Sequence, residues 1–171
     1  MRSNPTWHGI DLHWAYSDLL PTIYRQTGYR RTACDVLHDA LIRFAISSNA
    51  GRMEQPHAYL RTIVRNLLVD GYKDQSRFLP LVDEEIGASY ELEQPVAPST
   101  EHLLDMQQRL SILLNIIDHM PARCKEVFVL FRIEGLAQQE IAEKLGISVN
   151  MVQKHIMRAM LDLLEAKDLI N

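Results

Sequence analysis

Two cysteines, Cys34 and Cys124, are too few for a disulfide framework, and no CxxC or Cys/His cluster accompanies them to suggest a structural zinc site. Seven glycines and seven prolines in 171 residues exclude a collagen-like or low-complexity chain. Aromatic residues make up 7%, which leaves little surface for stacking. No apolar run approaches a membrane span, and the opening residues Met1, Arg2, Ser3, Asn4 and Pro5 lack the apolar core of a signal peptide. A Gly-rich phosphate loop, a nucleophile elbow and a carboxylate pair with an evident base are all missing, so neither an enzyme nor a small-molecule substrate or cofactor is expected. What remains is a soluble cytoplasmic protein with reduced thiols, large enough for one domain or two small ones.

The net charge of -4 looks wrong for a nucleic-acid binder, but it averages over a segregation. Residues 1–80 hold ten Lys/Arg against seven Asp/Glu, residues 81–108 hold seven acids and no Lys or Arg, and residues 109–171 hold eight of each. The acidic stretch overlaps residues 78–100, which carry Pro80, Pro95 and Pro98 and no helical period. Such a segment buries too little apolar surface to offset its ordering entropy and reads as a flexible acidic linker. Phe78, Leu79, Leu81 and Val82 leave open a docking strip instead.

Helical periods flank that segment. Leu12, Tyr16, Leu19 and Ile23 recur at helical spacing up to Gly28, with a kink or break expected at Pro21. Thr32, followed three residues later by Asp35, predicts an N-cap, and Ala33, Val36, Leu37, Ala40, Leu41 and Phe44 form one stripe. A polar interruption over residues 47–55 precedes Pro56, placed to open a helix whose apolar face is Tyr59, Leu60, Ile63, Val64, Leu67 and Leu68. Beyond the linker, Ser99 or Thr100 can cap a helix bearing Leu103, Leu110, Leu113, Leu114 and Ile117, and Pro121 opens another with Val127, Phe128 and Phe131 inward. The expected fold is all-α, with two small helical domains joined by the flexible acidic linker. The divisions are 1–77, 78–100 and 101–171.

The most informative stretch is QQEIAEKLGISVNMVQKHIMRAM, residues 138–160. Gly146 supplies a left-handed turn, Ile147 plugs the corner and Ser148 starts the next helix, which is the pattern of a helix-turn-helix. Ile141, Ala142, Val152 and Ile156 fall where the two helices must pack. Asn150, Met151, Gln153, Lys154, His155, Met157 and Arg158 are left to face outward beyond the capping Ser148, where polar side chains can reach base edges and cations can hold phosphates. In the first half, HAYLRTIVRNLLVDGYK (57–73) sets Arg61, Arg65, Asn66 and Lys73 off the apolar stripe. Arg77 follows, and Asn49 and Arg52 stand in the loop before, free to accept a flipped or strand-separated base.

The order of DVLHDALIRF, YLRTIVRNLLVD, a variable linker and MPARCKEVFVLFRIEGLAQQEIAEKLGISVNMVQKHIMRAM resembles the extracytoplasmic-function (ECF) sigma factors of the sigma-70 family over roughly residues 10–165. HDALIRF and SVNMVQKHIMRA look most like the ferric-siderophore, iron-starvation subgroup. The resemblance implies that the helix at 35–44 docks on the β′ clamp helices of core RNA polymerase through Asp35, His38, Asp39, Ile42 and Arg43, and that the β flap is a second polymerase contact. The family commonly has Gln-Glu in place of His38 and Asp39, and often Thr and Arg in place of Met151 and His155. Asn49, Arg52, Arg61, Arg65, Asn66, Lys73 and Arg77 would match the parts that open and read the minus-ten element. The 148–158 helix would match the reader of the minus-thirty-five element. An anti-sigma factor, the cytoplasmic tail of an inner-membrane regulator, would control the protein, and promoters of iron-uptake genes would be its targets.

A stand-alone helix-turn-helix regulator binding an operator as a dimer would leave residues 30–77 without a task. A helical adaptor binding only protein would leave the 138–158 geometry unused. Cys34 and His38 have the i,i+4 spacing of a metal pair, but no third ligand is placed beside them in sequence. Cys124 reads as a packed, inert thiol, and Trp7 and Trp14 as packing residues.

Overall fold

The computed structural model describes residues 4–47, 51–71 and 98–170. Asn49, Lys73, Arg77 and all but the last three residues of the 78–100 segment lie outside them. The chain divides into two compact units, Met1–Leu110 and Ser111–Asn171. Both are built of helices, as the periodicity requires.

Unit 1 opens with a feature the sequence did not announce, a two-stranded antiparallel hairpin of β1 (Thr6–Trp7) and β2 (Ile10–Asp11). His8 and Gly9 turn it with φ of 48° and 91°, the positive pair of a type I′ hairpin turn. The strands are too short to hold themselves. The buried Trp7 indole N–H donates to the Leu41 carbonyl at 3.0 Å and ties the hairpin to the helical core. Asp11 then caps α1 (Leu12–Trp14) through the His13 and Trp14 amides.

The break expected at Pro21 takes a definite form. A π-helical turn, Ala15–Leu19, separates α1 from α2 (Leu20–Thr27), and the Leu20 amide bonds back to the Ala15 carbonyl. The widened turn places Pro21 at the first turn of α2, where its missing N–H is harmless. Gly28, with φ of 76°, ends α2. The next helix, α3 (Arg30–Ile46), starts three residues earlier than the Thr32 cap predicted. Extended Tyr29 directly follows the glycine, and its carbonyl already accepts from the Ala33 amide at 3.0 Å, so Thr32 lies inside the first turn. A short α4 (Gly51–Glu54) sits within the expected polar interruption, and α5 (Pro56–Gly71) begins at the predicted proline. The stripe residues of α3 and Leu60, Val64, Leu67 and Leu68 of α5 are buried together with Leu12 and Ile23.

Ser99 caps α6 (Thr100–His119), its Oγ accepting from the His102 amide at 3.2 Å. The two units part inside this helix, between Leu110 and Ser111. Its first half belongs to unit 1, where Leu103, Met106 and Leu110 are buried and Gln107 Nε2 donates to the Thr6 carbonyl at 2.6 Å. In unit 2, α7 (Ala122–Phe128) passes into a second π-helical turn (Val129–Ile133), then α8 (Gln138–Leu145) and α9 (Val149–Ile170).

Gly146 adopts φ of 65° between α8 and α9, and a Cβ there would meet no atom within 4 Å. The cost of a side chain at this position is therefore backbone strain alone. Gly146→Ala is expected to destabilise the protein by about 1–2 kcal/mol, read as a lowered urea midpoint with an unchanged slope.

Candidate nucleic-acid interface

The α8–turn–α9 pair is assembled from local signals and one shared core. Glu140 reaches back to accept from the Ala137 amide at 2.7 Å and fixes the start of α8. The Gly146 and Ile147 amides both return to the Ala142 carbonyl, the latter at 3.1 Å, which closes α8 in a Schellman-type turn. Ser148 Oγ then accepts from the Met151 amide at 3.2 Å. Val127, Leu130, Ile141, Ala142 and Val152 form the buried core, with Leu136, Leu145, Ile147 and Ile156 packed on it. Ile147 is the predicted corner plug.

That core leaves the outer face of α9 to water. Ser148, Asn150, Met151, Gln153, Lys154 and Arg158 are exposed, whereas His155 is half-buried and its carbonyl accepts the Cys124 thiol at 3.2 Å. Burial pushes the Cys124 thiol above its ordinary pKa, with the Asp162 carboxylate adding to the shift, so the thiol stays protonated and unreactive. Two of the outward groups are already engaged. Gln153 Nε2 donates to Gln138 Oε1 at 3.1 Å across the two helices, and Arg158 Nε pairs with Asp162 at 3.0 Å. Gln138 carried no signal in the sequence, because its partner lies on the neighbouring helix. Arg158 must exchange a carboxylate for any phosphate it binds, which moderates the gain from that contact.

In unit 1, Arg61, Arg65 and Asn66 are exposed along one side of α5. The Arg61 guanidinium lies 5.1 Å from the Trp14 ring centroid, and His57 meets the same indole edge-on at 4.4 Å. Trp14 is thus a half-buried platform beneath a cation, a role the linear sequence could not reveal. Arg52 falls in α4. Asn49, Lys73 and Arg77 lie outside the described residues.

The α3 group is brought together differently. Arg43 grips Asp39 with two contacts of 3.3 Å, and the Asp39 side chain is fully buried beneath it. His38 and Ile42 are buried as well, while Asp35 is half-buried. His38 Nε2 is 2.6 Å from the Tyr16 hydroxyl, and its Nδ1 is buried without a hydrogen-bond partner. Burial, helped by the nearby His102 and Arg109 charges, depresses the His38 pKa to about 4. Burial likewise raises Tyr16 and Cys34, the former with a contribution from Cys34. Among the described residues no group of three or more His, Cys, Asp or Glu is arranged to hold a metal ion, and no helix is long and apolar enough to cross a membrane.

Residues 110–163, the helix-turn-helix with its supporting helices, match the family model described as Sigma-70, region 4. The chain is 27% identical over 127 residues to the ferric citrate uptake sigma factor FecI of Escherichia coli K12, covering 74% of this chain and 71% of that protein. It is 28% identical over 129 residues to the "Probable RNA polymerase sigma factor RfaY" of Xanthomonas campestris pv. campestris, covering 73% of this chain but 31% of that protein. The resemblance to the ECF sigma factors of the sigma-70 family, nearest the iron-siderophore subgroup, is borne out. These matches support an alternative sigma factor that directs transcription.

Proposed function

We propose that this sigma-70-type chain binds core RNA polymerase in the cytoplasm and directs it to a small set of promoters, those of iron-uptake genes. The observation that supports this reading most strongly is the exposed polar face of α9 within the segment that matches sigma-70 region 4. Similarity to a ferric citrate uptake sigma factor supports the choice of targets. The protein acts as an initiation factor rather than an enzyme.

The division of labour follows the residues. Residues 1–77 supply the region 2-like domain. Its α3 face (Asp35, His38, Asp39, Ile42, Arg43) docks on the β′ clamp helices, and Asn49, Arg52, Arg61, Arg65, Asn66, Lys73 and Arg77 open and read the minus-ten element. Residues 78–100 are the acidic linker. Residues 101–171 supply the region 4-like domain, which lies near the β flap and reads the minus-thirty-five element through Ser148, Asn150, Met151, Gln153, Lys154, His155 and Arg158. An anti-sigma factor, the cytoplasmic tail of an inner-membrane regulator, holds the protein inactive.

Charge supports a dependence on the polymerase. Residues 109–171 carry equal numbers of acids and bases, so their net counterion release on duplex DNA is small. Two weak modules held on one enzyme gain effective concentration without any new contact. In a filter-binding assay at physiological salt, the isolated protein is expected to retain promoter duplex poorly, and addition of core polymerase to produce tight retention. Tight, sequence-specific retention by the protein alone would instead favour a stand-alone regulator.

A further inference from the structure

The α3 face assigned above to polymerase docking is not open in this chain. His38, Asp39 and Ile42 have relative exposures of 2%, 1% and 0%, although they stand opposite or beside the apolar stripe of their helix. The first half of α6 reaches His38. His38, Met106, Arg109 and Leu110 line one small cavity, and His102 meets the ring of Tyr16, the hydrogen-bond partner of His38, edge-on at 6.3 Å. Leu103, Met106 and Leu110 are buried along this half of α6, and Gln107 Nε2 donates to the Thr6 carbonyl of the hairpin at 2.6 Å.

We propose that the first half of α6, residues 100–110, is a built-in strap that occludes the α3 docking face, and that polymerase binding requires it to be displaced. This inference rests on the docking role given to α3 above. The strap's hold is limited in extent. Leu103, Met106 and Leu110 anchor it together with the Gln107 bond, while Leu104, Asp105 and Gln108 between them are exposed. A partner that competes for α3 therefore meets a contact that can be broken without unfolding the α2–α3–α5 core. The apparent affinity for polymerase is then reduced by the fraction of chains in which the strap is closed.

The test uses the full-length protein and two substitutions outside α3. Leu103→Lys places a charge in the apolar seal beside His102 and Arg109, and Gln107→Ala removes the latch with little risk to folding. Hydrogen exchange of the α3 amides and titration against purified core polymerase are measured for both and for the wild type. Faster exchange in α3 is expected, with tighter polymerase binding by about tenfold for Leu103→Lys and a smaller gain for Gln107→Ala. Faster exchange without a gain in affinity, or unchanged exchange in both variants, would overturn the strap and leave the docking assignment standing. If neither the wild type nor the variants bind polymerase, the docking assignment fails and the strap fails with it.

Discussion

Replacing Arg61 and Arg65 together by alanine is expected to lower the rate of open-complex formation by about tenfold to a hundredfold, corresponding to the roughly 1–3 kcal/mol that a well-placed arginine contact to nucleic acid contributes. Both side chains are exposed on α5, so their removal leaves the apolar core intact. The Arg61 contact over Trp14 is lost from the fold, an exposed cation–π pair worth about 0.5–1 kcal/mol. The complementary pair, Lys154→Ala and Arg158→Ala, should act at an earlier step. It should weaken closed-complex binding at all promoters tested and reduce the salt dependence of that binding by about one phosphate contact per residue. Potassium permanganate footprinting for melting, set beside a salt series for closed-complex affinity, separates the two effects. Equal losses at both steps in both variants would mean that α5 and α9 do not divide the task as proposed.

Acid is expected to weaken the fold through His38. Its folded pKa is depressed to about 4 from the ordinary 6.5, so over that interval the unfolded chain binds a proton that the folded chain refuses. Stability from this group is therefore fully present above about pH 6.5 and declines as pH falls, at up to about 1.4 kcal/mol per unit, for a total near 3 kcal/mol. His38→Gln keeps a polar partner for the Tyr16 hydroxyl but does not titrate. Urea midpoints measured at pH 7, 6 and 5 should fall in the wild type and fall less steeply in the variant. Parallel slopes would show that the acid sensitivity lies elsewhere.

The elements that were legible in the sequence are those whose signals are local. Gly28 and Gly146 stop helices because their left-handed backbone ends the hydrogen-bond ladder there. Ser99 and Ser148 cap because their hydroxyls reach amides three residues on. Pro56 opens α5 and Pro21 forces a widened turn. The helix-turn-helix was readable for the same reason, since its turn, caps and packing positions all fall within residues 138–158.

What was not legible depends on distant partners. The hairpin turned by His8 and Gly9 is held by a bond from Trp7 to Leu41, more than thirty residues away. Arg132 is buried in the second π-helical turn although its residue type favours the surface. The central turns of α3 bury His38, Asp39 and Ile42 in addition to the apolar stripe; Tyr16 and α6 meet His38, and Arg43 meets Asp39. A periodic pattern names the face that must be buried. It does not say which polar residues will be buried as well.

Run-off transcription with purified core RNA polymerase tests the central claim most directly. The expected result is promoter-specific transcripts that appear only when this protein is added to core enzyme, on templates carrying iron-uptake promoters. Core enzyme that gives the same transcripts with and without the protein, or a protein that shields the promoter in the absence of polymerase and only represses, would contradict it.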